Sequence, residues 1–241
     1  MFDDGTKITL FAVGAAAFLL TAALDRAAPR TDLATAVDTA GLPPLPLSAR
    51  PDGTPAQTRI DATRVALGDG FEARLLYGYV LEGRVVTRRE FRNDATSAVS
   101  PLDLGIVWGD LAEPGRADAI EFRTAPRAVW SRPGPDAVLP EDWETQVTNN
   151  HLIPANAAVN DALMAVEVGA EVRIRGYLVV VTGDNILPWR SSTRRNDSTI
   201  IGGCEIILVT GVEILQTGDE AAWAPSDTAR KAPPSKVRMT A

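Results

Sequence analysis

The chain has 241 residues and a mass of 25.7 kDa, with 45% hydrophobic residues, 31 acidic against 24 basic side chains and a net charge of -7. That is material for one medium domain with appendages, and the acidic balance argues against nonspecific nucleic-acid binding, which needs cations to neutralise phosphates. A single cysteine, Cys204, rules out an intramolecular disulfide, and a single histidine, His151, rules out a histidine-rich metal centre.

Residues 1–25 read as an N-terminal membrane anchor. Ile8 to Leu24 runs 17 residues without a charge. At 1.5 Å per residue a helix there reaches roughly 25 Å, near the lower limit for crossing a bilayer. The preceding MFDDGTK is acidic, and no clear A-x-A cleavage site follows before the charged Asp25-Arg26, so an uncleaved anchor fits better than a signal-peptide core. A buried soluble helix fits poorly at an extreme N-terminus. Lys7 on one side and Arg26 and Arg30 on the other nearly balance the positive-inside count. A short tail, a single span and a large C-terminal domain suggest a periplasmic domain tethered to a bacterial inner membrane.

Residues 26–70 read as a Pro/Ala-rich spacer. Pro43, Pro44, Pro46, Pro51 and Pro55 keep it extended. Residues 217–241, with Pro225, Pro233 and Pro234, read as a flexible tail.

The domain spans residues 71–216. Arg74 to Phe91 reads as a long strand with Leu75, Tyr77, Tyr79, Leu81, Val85 and Phe91 on one face, and Gly83 at a bend. Asn93 to Gly115 is loop-like, yet Leu102, Leu104, Ile106, Val107 and Trp108 make it too apolar to be solvated. Ala119 to Trp130 reads as short strands interrupted by Pro126, and Trp143 to Thr148 as another. Asn156 is placed to cap a helix carrying Val159, Ala162, Leu163 and Val166, which Gly169 closes. Glu171 to Val181 and Glu205 to Leu215 read as the last strands. The first alternates, with Val172 and Ile174 in and Arg173 and Arg175 out, until Gly176. Tyr177 to Val181 and the last strand are apolar on both faces, as a closed or covered sheet requires. This order predicts a mainly β, OB-like five-stranded barrel with one short helix between its third and fourth strands. The alternative is an α+β sheet covered by one helix.

Three stretches, NNHLIPAN, GAEVRIRGYLVVV and WRSSTRRND…GGCEIILV, resemble a family of uncharacterised bacterial proteins with an N-terminal membrane segment. The likeness covers roughly residues 100–215. Its loop motif maps onto Trp189, Ser191, Ser192, Arg194 or Arg195, Asp197, Cys204 and Glu205. This chain has Asn196-Asp197-Ser198-Thr199-Ile200 where the motif is closer to Asp-Thr-Gly. The resemblance implies a type of domain and carries no reaction with it.

The polar stretch before the last strand is the main site candidate. Trp189 beside Arg190, Ser191, Ser192, Arg194, Arg195, Asn196 and Asp197 joins an aromatic face to forked donors and short acceptors, a set that holds planar or polyhydroxy ligands. The simpler reading is a solvated loop in which an arginine pairs with Asp197 and the serines satisfy backbone groups. His151 joins the candidate surface, although bridging backbone groups near the helix start is the plainer role. A His151–Cys204 nucleophilic pair is the catalytic alternative, set against the tendency of lone cysteines to be small buried hydrophobes. No metal or cofactor is expected: a zinc site would need His151, Cys204 and two carboxylates, an uncommon set. GYVLEG and TIIGGC lack phosphate-loop spacing, there is no G-x-S-x-G elbow, and Asp103, Asp110, Glu113, Glu141, Asp142 and Glu144 are dispersed.

The expected function is a non-enzymatic, membrane-anchored domain that recognises a protein partner or an envelope glycan. The alternatives are a Cys–His hydrolase or transferase of the envelope and an accessory subunit of an integral-membrane complex.

Overall fold

A computed structural model describes residues 36–61, 63–194 and 203–217. Among them no helix is long and apolar enough to cross a membrane; Ile8 to Leu24 lies outside the described residues, as do residues 218–241. The described chain is mainly β, with ten strands and a single α-helix. The strands are β1 (Ala56–Arg59), β2 (Arg64–Gly68), β3 (Phe71–Glu90), β4 (Leu102–Val107), β5 (Ile120–Ala125), β6 (Ala128–Pro133), β7 (Val147–Pro154), β8 (Glu171–Gly183), β9 (Ile186–Arg190) and β10 (Glu205–Gln216). The helix, α1, is Ala157–Met164.

Five strands close a hydrogen-bonded ring in the order β3–β4–β7–β10–β8, because β3 also pairs with β8. All ring pairings are antiparallel except β7 with β10, which is parallel. The parallel pair follows from connectivity: α1, β8 and β9 intervene between β7 and β10 and return the chain to the same end.

Inside the ring lie Tyr79, Leu81, Val85, Leu102, Leu104, Ile106, Leu152, Leu178 and Ile207, with Val159, Leu163 and Val166 packed from α1 and the turn after it. Fully burying one such side chain contributes roughly 1.5–3 kcal/mol. The outer face of β8 and β10 is apolar as well, since Tyr177, Val179, Val181, Ile206 and Leu208 form a second core. A third core sits under the β5–β6 hairpin, on Val86, Val107, Leu111 and Val147.

Several expectations need correction. The 93–115 stretch is not loop throughout; its apolar run is β4, a ring strand buried along its whole length. Trp143–Gln146 is a 3-10 turn, and the strand beginning at Val147 continues to Pro154, so His151 lies mid-strand and not at a helix start. Asn156 does cap α1, its side chain accepting from Val159 N–H at 3.0 Å. The helix nevertheless ends at Met164, where Arg88 donates to the Val166 and Met164 carbonyls. A cation at that position also favours the negative end of the helix dipole. Gly169, at φ 90°, belongs to the turn into β8.

The single face predicted for β3 switches partway. Leu75 pairs with Val179 but Tyr77 pairs with Leu178, so Leu76 is an extra residue, and Leu75 falls in the outer core while Leu76 and Tyr79 face inward. Gly83 and Gly176 mark close backbone crossings. A Cβ at Gly83 would overlap the Val107 carbonyl oxygen, and one at Gly176 the Leu208 carbonyl oxygen.

The spacer reading of 26–70 also changes from residue 36 onward. This segment straps the outer face of the ring. Val37 N–H donates to the Ala155 carbonyl at 2.8 Å, the Tyr177 hydroxyl donates to the Pro43 carbonyl, and Ala49 N–H reaches Glu82 at 3.2 Å. Leu42 and Leu45 pack on the outer core, and β1 and β2 pair with β3. Prolines keep the strap extended and have no N–H that needs an acceptor, and the leucines between them supply the adhesion.

Candidate functional site

A buried polar group lies on the outer face of β4 and β7. Asp103 and His151 are register partners there, and Asn149 shares that face two residues earlier on β7. All three side chains are almost fully buried. His151 Nδ1 lies 3.0 Å from Asp103 Oδ2, but no directed hydrogen bond joins them. Asn149 Nδ2 sits 3.5 Å from the same Asp103 oxygen.

Arg127 closes the cluster from above. It follows Pro126 at the tip of the β5–β6 hairpin in a left-handed conformation, φ 52°, the sense that a type II turn takes at its second central residue. Its guanidinium forks onto Asp94, with Nε 2.7 Å from Oδ2 and Nη2 2.8 Å from Oδ1. Nη1 reaches Asp103 Oδ1 at 2.8 Å, and Nη2 also donates to the Ser100 carbonyl at 2.9 Å. The guanidinium lies 3.7 Å from the centre of the Phe91 ring and 5.7 Å from that of Trp189. A planar cation with two carboxylates and an aromatic face is a setting in which Lys could not replace Arg.

Burial raises the Asp94 pKa, but the hydrogen bonds and charge of Arg127, with help from Thr96, outweigh it and hold the carboxyl below its ordinary value. Trp189 covers the other side, its ring 4.8 Å from the His151 imidazole and tilted by 46°.

The predicted loop residues divide. Trp189 is half-buried against the outer core. Ser191 and Ser192 are buried and stitch the fork where β8 and β10 separate: Ser191 N–H donates to Val179 O, Ser191 Oγ accepts from Ile206 N–H, and Ser192 N–H donates to Cys204 O. Arg190 and Arg194 are exposed. Arg195, Asn196 and Asp197 lie outside the described residues.

Cys204 is partly exposed on the same sheet face. The parallel register sets Ile206 beside His151 and Glu205 beside Asn150, so Cys204 neighbours Asn149, whose Nδ2 is 3.9 Å from Sγ. The thiol's close neighbour is an amide, and the imidazole lies two residues further along β7. On the inner face of these strands, buried Glu205 accepts from the Thr148 hydroxyl, and Asn150 Nδ2 donates to the Leu104 carbonyl at 3.1 Å. Among the described residues no group of three or more His, Cys, Asp and Glu side chains is arranged to hold a metal ion.

Phe91, Asp94, Asp103, Arg127 and Asn149 were not read as one site from the sequence. One signal was present: Asp103 interrupts the apolar run LDLGIVW, and a carboxylate inside a buried strand demands a partner. That partner is 24 residues away, on a hairpin tip. Comparison with protein-family models, with curated proteins and with solved structures yields no match.

Proposed function

We propose that this is a membrane-tethered, non-enzymatic binding domain of the bacterial envelope, built on an OB-like barrel and recognising a protein partner or an envelope glycan. The observation that carries the reading is where the polar-aromatic cluster sits. The ring order and the helix between its third and fourth strands support reading the ring on an OB plan. In that plan the second and third strands, with the first–second and fourth–fifth connections, form the usual ligand face. Here those strands are β4 and β7, and the flanking connections supply Phe91 and Asp94 on one side and Trp189, Arg190 and Arg194 on the other. Arg127 and the two aromatic rings form a rigid floor. Arg190 and Arg194 are exposed in the same connection as Trp189, with Arg190 on the opposite face of β9 from the Trp189 ring.

The uncharged Ile8 to Leu24 segment supports a single-pass tether. If it spans, only residues 25–35 separate it from the strap, a reach of at most about 40 Å, which holds the Val37 side of the domain near the bilayer. An accessory subunit of an integral-membrane complex fits the same plan. The strand register weighs against the Cys–His hydrolase reading, because it sets Cys204 beside Asn149 and two residues short of His151.

The test is purification of the full chain in mild detergent, with mass spectrometry of co-purifying proteins and sedimentation with cell-wall glycan. Arg190→Ala with Arg194→Ala should weaken capture while leaving the melting temperature unchanged. Equal capture by this variant, or none by the wild type, would refute the reading.

A further inference from the structure

The insert between β4 and β7, residues 109–146, carries a surface that the ring does not use. On the outer face of the β5–β6 hairpin, Trp130 is 42% exposed and stands between two arginines, the Arg123 and Arg132 guanidinium carbons lying 5.6 and 5.5 Å from its ring centre. Glu121 holds both arginines, accepting from Arg123 Nε at 2.7 Å and from Arg132 Nη2 at 2.6 Å. The hairpin's other face is buried on the third core through Ile120, Phe122 and Val129. The exposed face is therefore ordered, aromatic and net basic, in a chain whose net charge is -7.

Directly after the hairpin runs a segment of opposite sign. Between Pro133 and Gln146 there are four acidic residues, Asp136, Glu141, Asp142 and Glu144, and no basic one. Asp142 is engaged by Gln146 within the segment, while Asp136, Glu141 and Glu144 are exposed, and Val138 is 84% exposed among them. Gly134 N–H donates to the Ala119 carbonyl at 2.8 Å, and Leu139 and Trp143 pack on the hairpin's core. The basic face and the acidic segment are thus one rigid unit.

We propose that this insert is a self-association surface whose occupant is a second copy of the chain. A surface that carries both a basic-aromatic patch and an adjacent acidic one is self-complementary. A two-fold axis sets each patch against its opposite twice and closes the assembly. Two copies of a chain of net charge -7 repel on average, and this face offers opposite charges that offset the repulsion. Trp130 and Val138 provide the apolar contact that the ion pairs orient. The contact weakens as salt screens it.

The experiment is sedimentation velocity on the full chain in mild detergent across a concentration series, with charge-reversed variants. Wild type should dimerise. Arg123→Glu with Arg132→Glu, and separately Glu141→Arg with Glu144→Arg, should each raise the dissociation constant by about tenfold or more. Mixed together the two variants should form a heterodimer, because both contacts regain opposite signs. Should the arginine reversal fail to fold, Arg132→Gln and the acidic-segment variant, which leaves the hairpin intact, still report a weakened dimer. A wild type that stays monomeric at every concentration, a dimer indifferent to both reversals, or a mixture that does not associate would each overturn the proposal.

Discussion

Replacing Arg127 by Met tests what holds the β5–β6 hairpin on the ring. The substitution keeps apolar length over Phe91 but removes the fork to Asp94, the bond to Asp103 and the bond to the Ser100 carbonyl. The two carboxylates respond differently. Asp94's side chain is 30% exposed and can regain water, whereas that of Asp103 is only 4% exposed and is left as a buried charge. His151 Nδ1, 3.0 Å away, offers only partial relief. Removing one partner of a buried ion pair typically costs about 3–5 kcal/mol, and most of that should fall on Asp103. Urea unfolding followed by Trp fluorescence measures the loss. Amide exchange at Val129 should rise more than at Leu178, because the hairpin tip loosens before the ring does. Combining Arg127→Met with Asp94→Asn should show coupling of about 1–3 kcal/mol. A total loss below about 1 kcal/mol is the range of surface pairs. It would mean that the cluster is solvated and that the account of a rigid floor is wrong.

Three further outcomes follow from the same geometry. Asp94's pKa is depressed in the fold from an ordinary 3.8, so its pairing adds stability above that value and loses it as pH falls through the lower folded value. Wild-type stability measured from pH 5 downward should therefore fall below about pH 4, and Asp94→Asn should be less stable at pH 7 with a flatter acid limb. Gly176→Ala drives a methyl group into the Leu208 carbonyl and should cost about 1–3 kcal/mol by denaturant melt, where Gly211→Ala, with nothing near its added carbon, should cost little. Tyr177→Phe removes the donor to the Pro43 carbonyl. It should cost about 1 kcal/mol and speed proteolysis within residues 36–50, and unchanged cleavage would show that the strap does not depend on that bond.

How much of this was legible beforehand differs by element. The alternation and two-sided apolarity of Glu171–Val181 and Glu205–Leu215 reflect an inner and an outer core, and both strands lie close to where the pattern puts them. The Asn156 cap was readable because capping is local: one side-chain oxygen reaches an N–H three residues on. β4 was hidden by its own composition. With Pro101 before it, Gly105 within it and both faces buried, LDLGIV lacks the polar alternation that marks a strand. The docking of residues 36–50 was equally invisible. Proline-rich sequence looks the same whether the extended chain is solvated or laid against a protein, and the difference lies in the partner surface of Tyr177 and Gly78.

The site shows the same division. Trp189, His151 and the two serines stand out because they are rare or clustered in the chain, and the simpler reading, serines satisfying backbone groups, is what their bonds show, yet nothing local says that the imidazole meets a tryptophan. Strand periods, the helix cap and the charge balance were determined by the sequence alone, since each arises from contacts within a few residues. Which carboxylate faces which cation was decided only by the closed ring of strands. It brings Asp103 beneath a hairpin tip 24 residues later and turns Arg127, an ordinary turn residue in the linear chain, into the centre of the cluster.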